Sequence, residues 1–262
     1  MNASQIALFG GVYSNHLALS ALLEDVRRRG IRDLYCLGDL GGFGPNPDKV
    51  FPLLRDAGVN VIQGNYDDSV GNDLPDCQCG YTDPRDNYFA RLSYLYTHSH
   101  TSAENKAWMR SLPKQGKFEL GGARVHLCHG SPRKINEFLW ESTTSTAFLE
   151  RLCDENAADI IVATHTGLHW HRELPSGRHF LNCGAIGRPA NDGRACVWYA
   201  AVAFTGGRLS AEFIPLEYDH LRFATEMLDE ELPQEFITTI ETGWWTTCLE
   251  VLPAKERARG VY

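Results

Sequence analysis

Residues 34–47 read LYCLGDLGGFGPNP, and this stretch decides the fold class because an apolar run ends in a carboxylate set among glycines. Leu34–Leu37 is typical of a short buried strand, and Gly38 marks the turn that follows it. Asp39 then lies at the carboxyl end of a predicted strand, which is where open α/β sheets bind their ligands. Asp39 is therefore the first candidate site residue.

The alternation of strands and helices extends from this stretch in both directions. Later strands look antiparallel, so the sheets are expected to be mixed. The order predicts an α/β fold in which two mixed β-sheets pack as a sandwich flanked by helices. Besides Leu34–Leu37, the clearest predicted elements are strands at Ile6–Phe9, Val59–Gln63, Arg124–Cys128 and Ile160–Ala163, and a helix at His16–Arg29.

Length and charge exclude several classes of function. The chain has 262 residues and a formal net charge of −8, so a nucleic-acid polymer, which needs a positive surface, is not an expected partner. No run approaches the ~18 apolar residues of a membrane span, and residues 1–11 lack the pattern of a secretory leader. We expect a cytoplasmic protein with no membrane partner.

The eight cysteines do not form the pattern of a disulfide framework. Cys36, Cys128 and Cys183 lie in apolar runs, where a thiol behaves as a small buried hydrophobe. Cys77 and Cys79 differ, because they form a C-x-C pair in a polar loop. Such a pair can bind a metal or form a redox couple, but without a second pair or neighbouring histidines the sequence assigns it no specific role.

Polar residues follow four of the predicted strands. Asp39, Asn65, His129 and His165 each come after a strand and next to glycine or another small residue. A lone histidine at such a position is usually a turn or capping residue, but four equivalent positions are not expected by chance. One carboxylate, one amide oxygen and two imidazoles form a plausible ligand set for Mn, Fe or Zn.

Four motifs around these residues resemble those of a known family. They are GDLGGFGPNP at 38–47, GNYD at 64–67, CHGSPR at 128–133 and NCGAIGRP at 182–189. In order and spacing they are similar to the motifs of bacterial calcineurin-like metallophosphoesterases, in the branch that includes small phosphodiesterases and relatives of diadenosine tetraphosphatase. The resemblance covers residues 5–243, and it implies a calcineurin-like domain at 1–243 with a C-terminal extension at 244–262.

The resemblance also implies a site in which two metal ions clamp a phosphoryl group. Asp39 would bridge the two ions. Asn65, His129 and His165 would complete the ligand set of the second ion, and all of them are present.

The ligands of the first ion are missing. Gly11 and Tyr13 replace the family's Asp-x-His pair after the first strand, and Gly167 replaces the last histidine of its Gly-His-x-His motif. These losses fall on one ion and not on the other, which favours a site reduced to one metal position. Two alternatives would refill the first position: Tyr13 as a phenolate, or His169 after a loop rearrangement.

The candidate catalytic residues are Tyr66, Asp67 and Tyr13. Tyr66 stands where the family's general-acid histidine is expected, and a phenol with a pKa of ~10 is a weaker acid than imidazolium near neutrality. Arg133 and Arg188 lie in two of the motifs and are candidate substrate-binding residues, because a guanidinium pairs well with a phosphate anion.

Three functions remain open. The first is hydrolysis of a small phosphorylated molecule, nucleotide- or sugar-phosphate-like, by a phosphatase or phosphodiesterase. The second is different chemistry at a mononuclear two-histidine, one-carboxylate site of the iron type. The third is non-catalytic ligand binding in the same cleft. Residues 64–116 are a candidate substrate-selecting cap, while Trp244 and Trp245 in the extension either pack on the domain or support a homo-oligomer.

Overall fold

The computed structural model describes residues 5–258 and contains two five-stranded mixed β-sheets with helices on their outer faces. The predicted fold class is therefore confirmed. The strands are β1 (Ile6–Phe9), β2 (Asp33–Cys36), β3 (Asn60–Val61), β4 (Gly116–Leu120), β5 (Ala123–Leu127), β6 (Ile160–Ala163), β7 (His169–Glu173), β8 (His179–Cys183), β9 (Val197–Thr205) and β10 (Arg208–Leu216). The helices are α1 (His16–Arg29), α2 (Val50–Asp56), α3 (Asn65–Gly71), α4 (Pro84–His100), α5 (Ala103–Ser111), α6 (Thr146–Asn156), α7 (His220–Asp229), α8 (Gln234–Thr242) and α9 (Ala254–Arg257), with a 3₁₀ turn at Pro47–Lys49.

The strand order explains why the predicted ligands can meet. In the first sheet the order is β10-β9-β1-β2-β3, and β1, β2 and β3 are parallel. In the second sheet the order is β4-β5-β6-β8-β7, and β5, β6 and β8 are parallel. Parallel neighbours end at the same edge, so the loops that follow them gather there.

The core has one layer between the sheets and others on their outer faces. Leu8 of β1 packs between the sheets with Val162 of β6, whereas its neighbour Phe9 packs on the outer face with Leu19 and Leu22 of α1. This alternation follows from the period of two in a strand whose faces are both buried. Each such side chain contributes roughly 1.5–3 kcal/mol on burial.

Helix α1 shows how local sequence sets the element that carries this packing. Asn15 caps the first turn, because its side-chain oxygen accepts the backbone N–H of Ala18 at 3.0 Å. Gly30 ends the helix with a φ of 72°, a left-handed conformation that glycine adopts without strain. The predicted bounds His16–Arg29 are confirmed.

Several regions differ from the sequence prediction, including β2, which begins and ends one residue before the predicted Leu34–Leu37, and α9, which was not predicted. No helix is predicted at residues 65–71, yet α3 forms there because Asp67 accepts the backbone N–H of Gly64 at 2.8 Å and so caps the turn. The predicted strand Val59–Gln63 is reduced to Asn60–Val61. Strand β7 is additional and pairs antiparallel with β8.

The cysteines fall into two groups. Cys77 and Cys79 form a disulfide. The remaining six are free, and all of them except Cys196 are buried. The buried thiols of Cys36, Cys128 and Cys183 thus lie where the apolar runs predict.

Residues 244–258 pack against the rest of the chain. The indole N–H of Trp245 donates to the Pro189 carbonyl at 2.6 Å, and its backbone N–H donates to Asn191 at 2.9 Å. Farther along, the backbone N–H of Val251 donates to the buried Asp86 at 2.9 Å. Trp245 therefore packs on the domain, and the boundary at residue 243 stays a prediction.

The described part of the chain contains no candidate membrane-spanning helix. Between residues 5 and 258, no helix combines the length and the apolar character that spanning a bilayer requires.

One ion pair joins β5 to the start of β6 and gives an acid-dependent prediction. Asp159 accepts three hydrogen bonds from Arg124, at 2.8 to 2.9 Å, and these lower its pKa from 3.8 to about 2. A depressed carboxyl pKa stabilises the fold above pH ~4, and this stabilisation is lost as the pH falls toward 2. Because both side chains are partly exposed, we expect Asp159→Asn to cost only ~1 kcal/mol at pH 7.

Urea unfolding of the wild type and the variant at pH 7 and pH 3 checks this prediction. The difference in unfolding free energy should shrink by about half at pH 3. A difference that is the same at both pH values would show that the pair acts through packing rather than charge.

Candidate metal centre

Four loops deliver the predicted ligands to one place. Asp39 follows β2, His129 follows β5, His165 follows β6, and Asn65 opens α3 just after β3. All four side chains are buried, between 1 and 8% exposed. Within residues 5–258, Asp39, His129 and His165 are the only group of three or more acidic, histidine or cysteine side chains whose ligand atoms all lie within 4.8 Å of one another.

The ligand atoms of these residues face each other. The Nε2 atom of His129 lies 3.2 Å from Oδ2 of Asp39 and 3.1 Å from Nδ1 of His165. Two imidazole nitrogens and a carboxylate oxygen converging in this way are a donor set suited to Mn, Fe or Zn.

His129 is held in the orientation that a metal ligand needs. Its Nδ1 lies 2.6 Å from the backbone carbonyl of Leu37, so Nδ1 carries the proton and donates to that carbonyl. Nε2 is then the nitrogen that faces Asp39 and His165. Fixing the tautomer through the second nitrogen is the usual arrangement for a metal-bound histidine.

Asn65 presents an oxygen that has no partner. Its Nδ2 donates to the Cys77 carbonyl at 2.8 Å and lies 3.4 Å from the Cys79 sulfur. Its Oδ1 is buried without a hydrogen bond. A buried polar atom left unpaired is costly, and a metal ion at the cluster would satisfy it. The residues present therefore fit one metal ion.

The electrostatics of Asp39 and His165 agree with this fit, whereas the charge of Asp39 outweighs burial and raises the pKa of His129. Burial opposes ionisation of Asp39, but the neighbouring histidines and the Tyr66 N–H outweigh it and hold the pKa of Asp39 below its usual value. Burial, with the adjacent His129, lowers the pKa of His165 to about 3. His165 is therefore a neutral imidazole near pH 7, as a ligand must be.

The backbone at two ligands is strained. Asp39 has a φ of 56° and His165 a φ of 45°, in the left-handed region that non-glycine residues seldom adopt. Each such residue costs roughly 1–3 kcal/mol and persists where the surrounding structure fixes it, most often at functional sites.

Asp67 fixes the loops that carry two of these ligands. Its carboxylate accepts the backbone N–H groups of Asp39, Leu40 and Gly64 at 2.8 to 3.0 Å. Burial and the charge of Asp39 raise the pKa of Asp67 to about 7, with the backbone donors acting against them. The contacts place Asp67 in a positioning role, and its predicted catalytic role stays a prediction.

Removing this carboxylate should loosen the centre. We expect Asp67→Ala to cost ~2–4 kcal/mol of stability, since three buried N–H groups lose their acceptor, and to weaken metal binding ~10–100-fold. Thermal unfolding and metal titration measure the two effects. The control is Asp68→Ala on the same helix, whose partner is Asn72. Equal metal affinities in the two variants would contradict the positioning role.

The two candidate catalytic tyrosines are both in the cavity next to the cluster. The Tyr66 hydroxyl donates to Ser93 at 2.8 Å, and burial raises the pKa of Tyr66. Burial and the charge of Asp39 likewise raise the pKa of Tyr13, and its role as a phenolate ligand stays a prediction. Proton donation by Tyr66 stays a prediction.

The positions at which the family resemblance places the first ion's ligands are bordered by aromatic rings. A Cβ atom added at Gly11, whose φ is 50°, would lie 2.9 Å from the Tyr13 ring and 2.8 Å from Ala185. A Cβ atom at Gly167 would contact the Trp245 ring at 3.4 Å. Tyr13 and Trp245 thus border the space that an aspartate at 11 or a histidine at 167 would need.

Two predicted site residues lie elsewhere. His169 lies on β7, and its ring packs against Trp198 of β9 and Phe213 of β10, with ring centroids 4.4 and 4.8 Å away. It does not join the ligand cluster. Arg133 pairs with Glu137 at 2.8 Å, half exposed, and does not line the cavity. The loop rearrangement that His169 would need is therefore not seen.

Arg188 does lie in the cavity, whose walls the sequence does not reveal. The cavity joins the ligand cluster to a set of aromatic rings and encloses about 60 Å³. The rings come from distant parts of the chain, and the walls include Phe43, Phe89, Trp140, Phe236 and Trp245. Phe89 belongs to the predicted cap region. The sequence shows Trp245 only as part of the Trp244–Trp245 pair in the C-terminal extension, and this pattern does not predict where the two rings pack.

Comparison with known proteins agrees with this geometry. A family model described as the calcineurin-like phosphoesterase superfamily domain matches residues 5–204. Over 251 residues the chain is 27% identical to a protein of Methanocaldococcus jannaschii described as uncharacterised, covering 89% of this chain and 96% of that one.

Two solved structures share the fold. A hypothetical protein from Pyrococcus horikoshii has a TM-score of 0.77 at 22% identity, covering 92% of this chain and 99% of that one. A metallophosphoesterase from Sphaerobacter thermophilus has a TM-score of 0.69 at 24% identity, covering 92% and 100%. The finer branch suggested by the motifs stays a prediction. With the family model matching most of its length and a buried Asp-His-His cluster at the sheet edge, the chain belongs to the calcineurin-like phosphoesterase superfamily.

Proposed function

We propose that this protein is a metal-dependent hydrolase of small phosphoesters that works at one metal position. The observation that carries the proposal is the convergence of Asp39, His129 and His165, beside the unpaired oxygen of Asn65, next to a cavity with a largely aromatic lining. When bound, Mn, Fe or Zn would supply positive charge that polarises a phosphoryl oxygen. Asp39, His129, His165 and Asn65 would hold that charge at a fixed place.

The size of the cavity favours a small substrate. At roughly 10–15 Å³ for each water-sized occupant, about 60 Å³ accommodates a group the size of phosphate. The lining of the same cavity is largely aromatic, and planar groups stack well on such rings. A nucleotide-like ester therefore fits this lining better than a bare sugar phosphate.

The single metal position is supported by the residues around the vacated one. Gly11 and Gly167 offer no ligand atoms, and the Tyr13 and Trp245 rings border the space beside them. The His169 ring packs against Trp198 and is not part of the ligand cluster, which supports one metal position over a refilled second one.

A second candidate has one observation in its favour. Two histidines and one carboxylate are also the ligand set of mononuclear non-haem iron enzymes. The family membership favours phosphoester hydrolysis over this alternative. A protein that holds iron and hydrolyses no phosphoester would support the alternative instead.

An activity panel tests the proposed function. The protein is loaded with Mn²⁺, Fe²⁺ or Zn²⁺ and assayed with p-nitrophenyl phosphate, bis-p-nitrophenyl phosphate, nucleoside monophosphates and sugar phosphates. We expect metal-dependent hydrolysis, faster for aryl and nucleoside esters than for sugar phosphates. No hydrolysis of any ester with any of the three metals bound would overturn the proposal. Iron in the protein as purified would then favour the iron-type site, and its absence would favour a ligand-binding protein.

A further inference from the structure

Arg188 is a buried cation without an anionic partner. Arg188 is 9% exposed. Within residues 5–258, no carboxylate lies at ion-pair distance from its guanidinium. Arginines this deeply buried are normally paired. Its guanidinium instead stacks on the Trp245 ring, 3.3 Å from the centroid, with Phe43 at 5.5 Å. The charge is therefore available to an anion that enters the cavity.

The backbone ties Arg188 to the loop that lacks the first-ion ligands. The preceding residue, Gly187, donates its N–H to the Gly11 carbonyl at 2.8 Å. A Cβ atom at Gly187 would lie 2.3 Å from the Val12 carbonyl oxygen, so only glycine permits this close approach. The backbone of Arg188 therefore lies beside the loop that contains Gly11 and Tyr13.

Arg188 and the ligand cluster face one cavity. Arg188, Asp39 and His165 all line it. The charges of Asp39 and Arg188 also act on the same group, the Tyr13 hydroxyl, in opposite directions. An anion in this cavity would therefore be close to both the metal position and the guanidinium.

We propose that Arg188 takes the place of the missing first metal ion as a fixed positive charge that binds the phosphoryl oxygens. This inference rests on the proposed function and adds a binding residue to it. A guanidinium offers a planar pair of donors that matches two phosphate oxygens. Unlike a metal ion it cannot lower the pKa of a bound water. Such a site binds phosphate monoesters and inorganic phosphate well while depending on its single metal for the chemistry.

Calorimetric titration of the metal-loaded protein with inorganic phosphate tests the inference. The variants are Arg188→Met and Arg188→Lys. The matched control is Arg55→Met, because Arg55 also stacks on a tryptophan, Trp108 at 5.0 Å, but lies outside the cavity. Metal content and thermal unfolding are measured on every sample.

We expect Arg188→Met to weaken phosphate binding ~10–100-fold, the loss that follows from removing charge-assisted hydrogen bonds. Arg188→Lys should lose less, since it keeps the charge without the paired donors, and it serves if the methionine variant fails to fold. The control should bind phosphate as the wild type does, and metal content should not change in any variant.

The role of Arg188 would be overturned if folded Arg188→Met and Arg188→Lys bound phosphate with the affinity of the wild type, or if the wild type bound no phosphate. A wild type that binds phosphate through Arg188 but hydrolyses no ester would refute the proposed function and leave the anion site standing.

Discussion

Replacing Asp39 with alanine is expected to remove the bound metal and to lower phosphoester hydrolysis by at least ~10³-fold. The carboxylate is buried, one oxygen faces His129 at 3.2 Å, and the other accepts the Tyr66 N–H at 3.0 Å. Without it the two histidines would be left as the only close pair of ligands. Metal content and the initial rate with p-nitrophenyl phosphate measure the effect.

The control is Asp48→Ala, because Asp48 also accepts a side-chain hydrogen bond, from Asn105 at 2.8 Å, but lies away from the cluster. That variant should keep both its metal and its activity. An Asp39→Ala protein that retains full activity would place the chemistry elsewhere and contradict the proposed site.

A single methyl group added at Gly64 is expected to disrupt the same centre. A Cβ atom there would lie 2.4 Å from both the backbone nitrogen and Oδ1 of Asp39, and 2.9 Å from the His129 ring. The backbone itself is not the obstacle, since Gly64 has a φ of −91°. We expect Gly64→Ala to cost ~3 kcal/mol of stability through overpacking and to weaken metal binding ~100-fold.

Gly116→Ala is the matched control, because a Cβ atom at Gly116 would meet only ordinary contacts, the closest at 3.5 Å from Leu127. Denaturant unfolding and metal titration compare the two variants. If Gly64→Ala bound metal with wild-type affinity, the loops around Asp39 and His129 would be more adaptable than the structure indicates.

Local patterns account for what the sequence could predict. Strands β1 and β6 and helix α1 were predicted to the residue. Each strand is four buried apolar residues in a row and the helix is a capped amphipathic segment, so the signal for each lies within its own residues. The candidate ligands Asp39, His129 and His165 were identified because each follows a predicted strand. The topology of parallel strands then brings them together.

Contacts between distant segments account for what the sequence could not predict. Nothing around Gly11 or Gly167 indicates that Tyr13 and Trp245 border the space beside them. The place of the Trp245 ring depends on its hydrogen bond to Pro189, 56 residues away. Asn65 and the Cys77–Cys79 disulfide meet through a loop whose path has no sequence signature.

His169 illustrates the same limit from the other side. Its position two residues beyond Gly167 suggested a replacement ligand, but the strand period of β7 places it beside Trp198 and Phe213. The sequence shows only that His169 follows Gly167 by two residues. The antiparallel pairing of His169 with Cys183 determines where its side chain lies.

The metal content of the protein, purified without chelator and measured by mass spectrometry of the elements, tests the central claim most directly. We predict about one transition-metal ion per chain in the wild type and none in Asp39→Ala, because Asp39 belongs to the one candidate ligand group within residues 5–258 and the proposed function needs a single metal position. Two ions per wild-type chain, or one that persists without Asp39, would contradict a centre with a single metal position.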